Sequence, residues 1–183
     1  MSDQQELQLL QFYDRASKWA LSRVAGAEGK LDAPTPCEEW DVRMLMNHML
    51  DTQRYFIDSA RGETVAPPAS TPPDDLLGDD PVTAFTAVRN EALQTFGEPG
   101  AVERTGPALG IAFADQLLHG WDLATATGQD ATMPDGLAEV AFATIHGRFT
   151  DEQRKGTFGP ELPVDDGASP QERLLAYTGR QPA

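Results

Sequence analysis

Ala108-Leu-Gly-Ile-Ala-Phe-Ala-Asp115-Gln-Leu-Leu-His119-Gly-Trp-Asp122-Leu-Ala-Thr-Ala-Thr127 decides how this chain is read. Apart from a few polar positions the stretch is apolar or small, which describes a helix buried on nearly all sides. Ile111, Phe113, Ala114, Leu117, Leu118, Trp121 and Leu123 leave little room for a wide solvated face. A helix advances about 100° per residue, so Asp115, His119 and Asp122 share one narrow strip of its surface. Burying two carboxylates and an imidazole is costly unless something compensates them. A bound divalent cation is one compensator, and a hydrogen-bond network to a neighbouring helix is another.

Three more long segments carry helical periodicity. From about Gln4 to Val24, an apolar stripe of Leu7, Leu10, Phe12, Ala16, Trp19, Ala20 and Val24 precedes a breaker at Gly26-Ala27-Glu28-Gly29. After Pro34-Thr35-Pro36, Asp41 is placed to cap a helix running through Val42, Leu45, Met49, Phe56 and Ile57 to about Arg61. Pro81 to Phe96 follows, with proline in the first turn and Gly97 as the stop. The fourth helix is expected from Pro107 to Thr127, ended by Gly128. Between the second and third, residues 62–80 are rich in proline and acid, which predicts one long surface crossover. A fifth, weaker helix is expected from Met133-Pro134-Asp135 to about Phe149, and a short one near Gln171 to Tyr177 within a loop-rich tail, 150–183. There is no strand-like alternation and no internal repeat. The expectation is an all-α protein: a four-helix bundle with one long crossover connection, an extra C-terminal helix and a loop-rich tail. At 183 residues this is a single domain, 1–183, with its core over about 4–149.

Composition removes several function classes. A formal charge of −15 argues against nucleic acid, whose binding needs a basic surface, and equally against an anionic membrane. Cys37 is the single cysteine, which excludes an internal disulfide and any multi-cysteine zinc site. No apolar run approaches membrane-spanning length, and the start, Met-Ser-Asp-Gln-Gln-Glu, lacks the basic and apolar parts of a secretory signal. The chain reads as soluble and cytoplasmic. Eleven arginines against three lysines, with abundant Ala, Gly and Pro, suggest a GC-rich bacterial genome. G-x-S-x-G, G-x-G-x-x-G, a phosphate-cradling glycine loop and H-E-x-x-H are all missing, so hydrolase, nucleotide-binding and protease readings are not first choices.

The chemistry-bearing residues are few. Asp115 and His119, at i and i+4, reach one point in front of their helix. His48, one of only three histidines, lies on the second helix beside Met44, Asp51, Thr52 and Tyr55, on a shoulder of the apolar face. By itself it reads either as a histidine at the edge of the core or as part of a site between helices. Two imidazoles and one carboxylate form an open-site ligand set for Zn²⁺, Ni²⁺ or Fe²⁺, with Zn²⁺ favoured. Asp122, one turn beyond His119, would orient an imidazole or hold bound water; its simpler reading is a structural hydrogen bond. His146 reads as a surface or satisfied core histidine. Cys37 has no base near it in sequence and is followed by Glu38 and Glu39, so it reads as a buried structural thiol. Trp40 reads as an anchor at the start of the second helix.

Pro36-Cys37-Glu38-Glu39-Trp40-Asp41-Val42-Arg43, running into Leu45-Met46-Asn47-His48, resembles the metal-site helix of the mycothiol-dependent maleylpyruvate isomerase N-terminal family, part of the wider DinB-like bundle group. Phe113 to Ala124, with Thr127-Gly128 after it, looks like the same family's second ligand segment. Ala168-Ser169-Pro170-Gln171-Glu172-Arg173-Leu174-Leu175-Ala176, then Thr178-Gly179-Arg180, resembles the ending of one actinobacterial branch. The resemblance implies a DinB-like four-helix core with one divalent metal ion held by His48, Asp115 and His119. It also implies a low-molecular-weight thiol, mycothiol or a similar one, as cosubstrate in an isomerase or transferase reaction. Two departures stand out. The family's isomerase has Glu where this chain has Asp115, and it has a separate C-terminal domain for which this chain has no room. The implied reaction is therefore thiol chemistry on another small electrophile rather than maleylpyruvate isomerisation.

The expected partners are thus a small-molecule thiol and an electrophile. Asp122 is expected to support the metal site and accept a proton, and Tyr55 to stand near its mouth as a cosubstrate contact. Two alternatives are a non-catalytic metal-binding bundle, serving as a stress-response or binding module, and a helical protein whose polar strip is purely structural. An exposed Leu or Trp face on the first helix could support a homodimer.

Overall fold

Eight helices and no β-strand make up the described residues, 3–37, 39–105, 108–155 and 157–181, of the computed structural model. In chain order they are α1 (Asp3–Ala25), α2 (Val42–Arg61), α3 (Pro81–Phe96), α4 (Ala101–Thr105), α5 (Ala108–Thr127), α6 (Leu137–Ile145), α7 (Asp151–Arg154) and α8 (Pro170–Tyr177). The all-α expectation holds. The local signals behave as their chemistry requires: the Asp41 side chain accepts from the Met44 N–H at the start of α2, and Asp80 caps α3 ahead of Pro81. Pro107, expected as the first residue of the fourth helix, lies outside the described residues.

α1 packs against α5 and α3, and α2 packs against α3 and α5, so the four long helices close a ring. Its interior is filled by fully buried Tyr13, Leu45, Met46, Met49, Leu50, Ile57, Leu109, Phe113 and Leu117, each contributing roughly 1.5–3 kcal/mol of burial. The long crossover between α2 and α3 is present. Asn47 ties it down, its Oδ1 accepting the Leu76 N–H at 2.8 Å, while Leu77 inserts into the core.

The second half of the chain departs from the expected boundaries. α6 is shorter than the segment from Met133 to Phe149, because Gly136 adopts a left-handed conformation (φ 77°) and starts the helix late. α4 and α7 are additional short helices that no long periodic run announced. α6 packs on α5 and α8 on α6, so the C-terminal segment lies over the α5 side of the bundle. No helix among the described residues is long and apolar enough to cross a membrane.

Candidate metal centre

Four pieces of chain converge on the polar strip of α5. α5 supplies Asp115, His119 and Asp122, α2 supplies His48, the loop ahead of α2 supplies Cys37 and Trp40, and the residue after the α8 turn, Arg180, closes the cluster. The loop is held by its own polar groups. The Thr35 hydroxyl donates to the Trp40 carbonyl at 2.8 Å and accepts from the Cys37 N–H at 3.1 Å, and Pro34 bridges to Asp41. Glu39 takes the left-handed conformation (φ 67°) that turns the chain back, and the Trp40 ring comes to lie 4.7 Å from the His48 ring.

The two nitrogens of His119 face different surroundings. On the Nδ1 side, Asp122 Oδ2 is 2.9 Å away. That carboxylate is fully buried and receives a fork from Arg180, Nε to Oδ1 at 2.8 Å and Nη2 to Oδ2 at 2.7 Å, and the Cys37 thiol donates to Oδ2 at 3.4 Å. On the Nε2 side, Asp115 Oδ1 stands at 3.5 Å and the His48 ring is edge-on at 5.0 Å between centroids. Here two buried atoms, His48 Nδ1 and Asp115 Oδ2, have no hydrogen-bond partner among the described residues. The other His48 nitrogen, Nε2, lies 3.4 Å from the Thr52 hydroxyl. Each of the two histidines thus has one nitrogen engaged by the protein outside the set and the other left for it.

Electrostatics follows this division. Burial alone would raise the Asp122 carboxyl, but Arg180 and His119 outweigh it and hold the group well below the usual carboxylate range. Burial pushes Asp115 the other way, up, against the opposing charge of His119. His48 is pushed down to about 3, by burial first and then by His119. Burial would lower His119 as well, yet the carboxylates of Asp115 and Asp122 overcome it and raise the imidazole to about 10. A cation at the open side would take over the role of that proton.

Among the described residues, two groups bring metal-ligand atoms within 4.8 Å of one another: His48, Asp115 and His119, and Cys37, His119 and Asp122. Only the first has the character of a site awaiting a partner. In the second, both oxygens of Asp122 already accept from Arg180, whose positive charge opposes a cation. The donor set of the first, two imidazoles and a carboxylate with orphaned buried atoms, suits a divalent first-row ion.

The three residues expected as ligands are therefore brought together, and Asp122 stands directly behind His119. Its proton-acceptor role does not fit, because a carboxylate that accepts from Arg180, His119 and Cys37 and is held strongly acidic is a poor base. Tyr55 is two turns beyond His48 on α2, about 10 Å along the axis, where its ring packs on Phe56. His146 is exposed and packs its ring on Phe142 and Tyr177, the surface histidine of the two alternatives. Cys37 is half-buried and belongs to the polar cluster, which corrects the reading of it as a buried structural thiol; Glu38, part of that reading, lies outside the described residues. Sequence reasoning missed Arg180 and the service of Thr52 to His48. The signals for Arg180 were its place directly after a glycine that ends a short helix and the resemblance of Thr178-Gly179-Arg180 to the ending of a family branch.

Residues 15–124 match the family model described as the mycothiol maleylpyruvate isomerase N-terminal domain. That span holds α2 and all but the last turn of α5, with His48, Asp115, His119 and Asp122, and stops short of Arg180. Two relatives from Mycobacterium tuberculosis are named Uncharacterized protein MT0763 (strain CDC 1551 / Oshkosh) and Uncharacterized protein Rv0738 (strain ATCC 25618 / H37Rv). Each is 29% identical over 164 residues, covering 82% of this chain and 85% of the relative. No solved structure matches the chain.

Proposed function

We propose that this chain, which belongs to the mycothiol maleylpyruvate isomerase N-terminal domain family, holds one divalent metal ion and uses it to act with a low-molecular-weight thiol of the mycothiol type on a small electrophile. One observation carries the reading: among the described residues His48 Nδ1 and Asp115 Oδ2 are buried without partners beside His119, while Asp122 and Cys37 on the other side of that ring are hydrogen-bonded. A purely structural network accounts for the Asp122 side of His119 and leaves these two atoms unexplained.

In this reading His48, Asp115 and His119 are the ligands. A divalent cation with open coordination positions lowers the pKa of a thiol that binds it and presents the thiolate at neutral pH. Thr52 turns His48 so that Nδ1 faces inward, and Asp122 turns His119 so that Nε2 does. Trp40 covers the His48 ring and keeps bulk water from that side. The ligand set supplies one negative charge against two positive, since Asp122 and Arg180 neutralise each other, and the positive balance suits an anionic partner such as a thiolate.

The test is elemental analysis of protein purified without chelator, alongside His48→Ala and His119→Ala, followed by thiol-consumption assays against a panel of small electrophiles. Near-stoichiometric metal in wild type, absent from both variants while they keep their helical content, is expected, with thiol consumption requiring the metal. A wild type that takes up no metal on dialysis overturns the site. Turnover that survives complete removal of metal overturns the mechanism.

A further inference from the structure

We propose that Arg180 is a positioning residue for the metal centre: the C-terminal segment carries it into the bundle, where it fixes Asp122 and, through Asp122, the ring of His119. The proposal rests on the reading of His48, Asp115 and His119 as metal ligands and adds a residue from outside the span, 15–124, that the family match covers.

The segment is built to deliver one side chain to one place. α8 starts with a reciprocal cap, in which Ser169 accepts the Glu172 N–H and Glu172 accepts the Ser169 N–H. Leu174, Leu175 and Tyr177 then bury against the bundle. At its end Gly179 takes the left-handed conformation (φ 78°), its N–H bonding to Ala176 O at 3.0 Å and that of Arg180 to Leu175 O at 2.8 Å. This turn reverses the chain toward α5. Gly159 lies against it, so that a Cβ on Gly179 would sit 2.5 Å from Gly159 Cα, and Arg154 donates to Tyr177 O at 2.7 Å. The path to Arg180 is therefore held from both sides.

The contact it makes is more specific than an anchor requires. The guanidinium meets Asp122 through two parallel bonds of 2.8 and 2.7 Å, which set the plane of the carboxylate as well as its position. The Asp122 carboxylate is wholly buried, and Oδ2, which accepts from Arg180, is also the atom 2.9 Å from His119 Nδ1. An imidazole with Nδ1 fixed in this way presents Nε2 in one direction, toward Asp115 and His48. Removing the fork leaves the carboxylate free to rotate and the ring with it.

Co²⁺ titrated into metal-free protein tests this, with affinity and the visible d–d spectrum read beside the melting temperature. The proteins are wild type, Arg180→Gln, Arg180→Lys, Asp122→Asn and the double variant Arg180→Gln/Asp122→Asn. Arg180→Gln is expected to weaken Co²⁺ binding about 10–100-fold and alter the spectrum, with Asp122→Asn doing the same. The double variant is expected to be no weaker than Asp122→Asn alone, and Arg180→Lys, which keeps a charge against Asp122 and hence the fold, to recover part of the loss. Wild-type affinity and spectrum in Arg180→Gln, or in Arg180→Lys should the former not fold, overturn the proposal and leave Arg180 as a tail anchor. Fully additive losses in the double variant overturn it too. A wild type that binds no Co²⁺ overturns the metal reading itself, and this proposal with it.

Discussion

The two sides of the His119 ring are built on opposite plans. On the Nδ1 side, Asp122 is buried and satisfied, accepting from Arg180, Cys37 and His119. On the Nε2 side, Asp115 and His48 are half-buried and unsatisfied, each with a buried atom that meets no donor or acceptor among the described residues. The two carboxylates sit two turns apart on the same helix and both bear a burial penalty. Both face the charge of His119, but only for Asp122 do a second opposite charge, Arg180, and a full set of hydrogen bonds outweigh the penalty. A satisfied buried charge holds structure together. An unsatisfied one beside two imidazoles leaves room for a cation from outside.

The largest effect expected from this difference is on stability. Asp122→Ala strands the Arg180 guanidinium, which is only 12% exposed, and releases His119, at a cost of about 3–5 kcal/mol in the metal-free protein. Asp115→Asn takes away a carboxylate that has one unpartnered oxygen, and should cost no more than about 1 kcal/mol. Denaturant unfolding of both variants under the same conditions gives the comparison directly. Equal losses would mean that the two sides do not differ in kind.

Acidity sharpens the contrast in the metal-free protein. His48 titrates near 3 in the folded chain, so as pH falls below about 6.5 the unfolded state takes up a proton that the native state refuses. Stability therefore falls with falling pH through that window, by up to about 1.4 kcal/mol per pH unit. His119, raised to about 10, behaves in reverse: its contribution is complete below about 6.5 and is lost as pH rises through 10. The expected profile is a dome, with His48→Gln flattening its acid limb and His119→Gln its alkaline limb. Saturating metal should also flatten the alkaline limb, since a metal-bound imidazole carries no proton for high pH to remove. An alkaline limb that persists in His119→Gln would show that the strip's charges are placed differently.

The open side was largely legible in the sequence, and the satisfied side was not. Asp115 and His119 lie one turn apart in an apolar run, so helical periodicity alone put them on one face; His48 followed from an amphipathic helix with a clear cap at Asp41. The partners of Asp122 come from much farther along the chain. Cys37 depends on a loop folded around Thr35, and Arg180 on a left-handed turn at Gly179 after a helix of 8 residues. Neither leaves a periodic trace. Neighbours in sequence misled the reading of Cys37, whose neighbours in space are Asp122 and His119. Tyr55 shares a helix shoulder with His48 but stands two turns along the axis, so the shoulder alone does not set its distance from the ligands.

A moderate effect is expected at the far end of α8. Ser169→Ala removes one half of the reciprocal cap and should cost about 1 kcal/mol. Because Gly179 and Arg154 still hold the other end, Co²⁺ affinity should stay at the wild-type value while the melting temperature drops. Affinity falling in step with stability would mean that the tail acts on the centre through its overall order rather than through the fork.

The smallest effect belongs to Cys37. Its thiol, His119 and Asp122 lie close enough to form a ligand set on distances alone, and a thiolate would be the softer and stronger donor for zinc. The surroundings decide otherwise, because Asp122 is engaged by Arg180 through both oxygens and the thiol is turned to donate to that carboxylate. Serine can make the same donation, so Cys37→Ser should change stability by less than about 1 kcal/mol and leave metal content unaltered. Loss of metal in Cys37→Ser would invert the comparison, making the Nδ1 side of His119 the open one and Asp115 the support. Unchanged metal in Cys37→Ser, set against its loss in His48→Ala, keeps the ion on the side where the unpartnered atoms are.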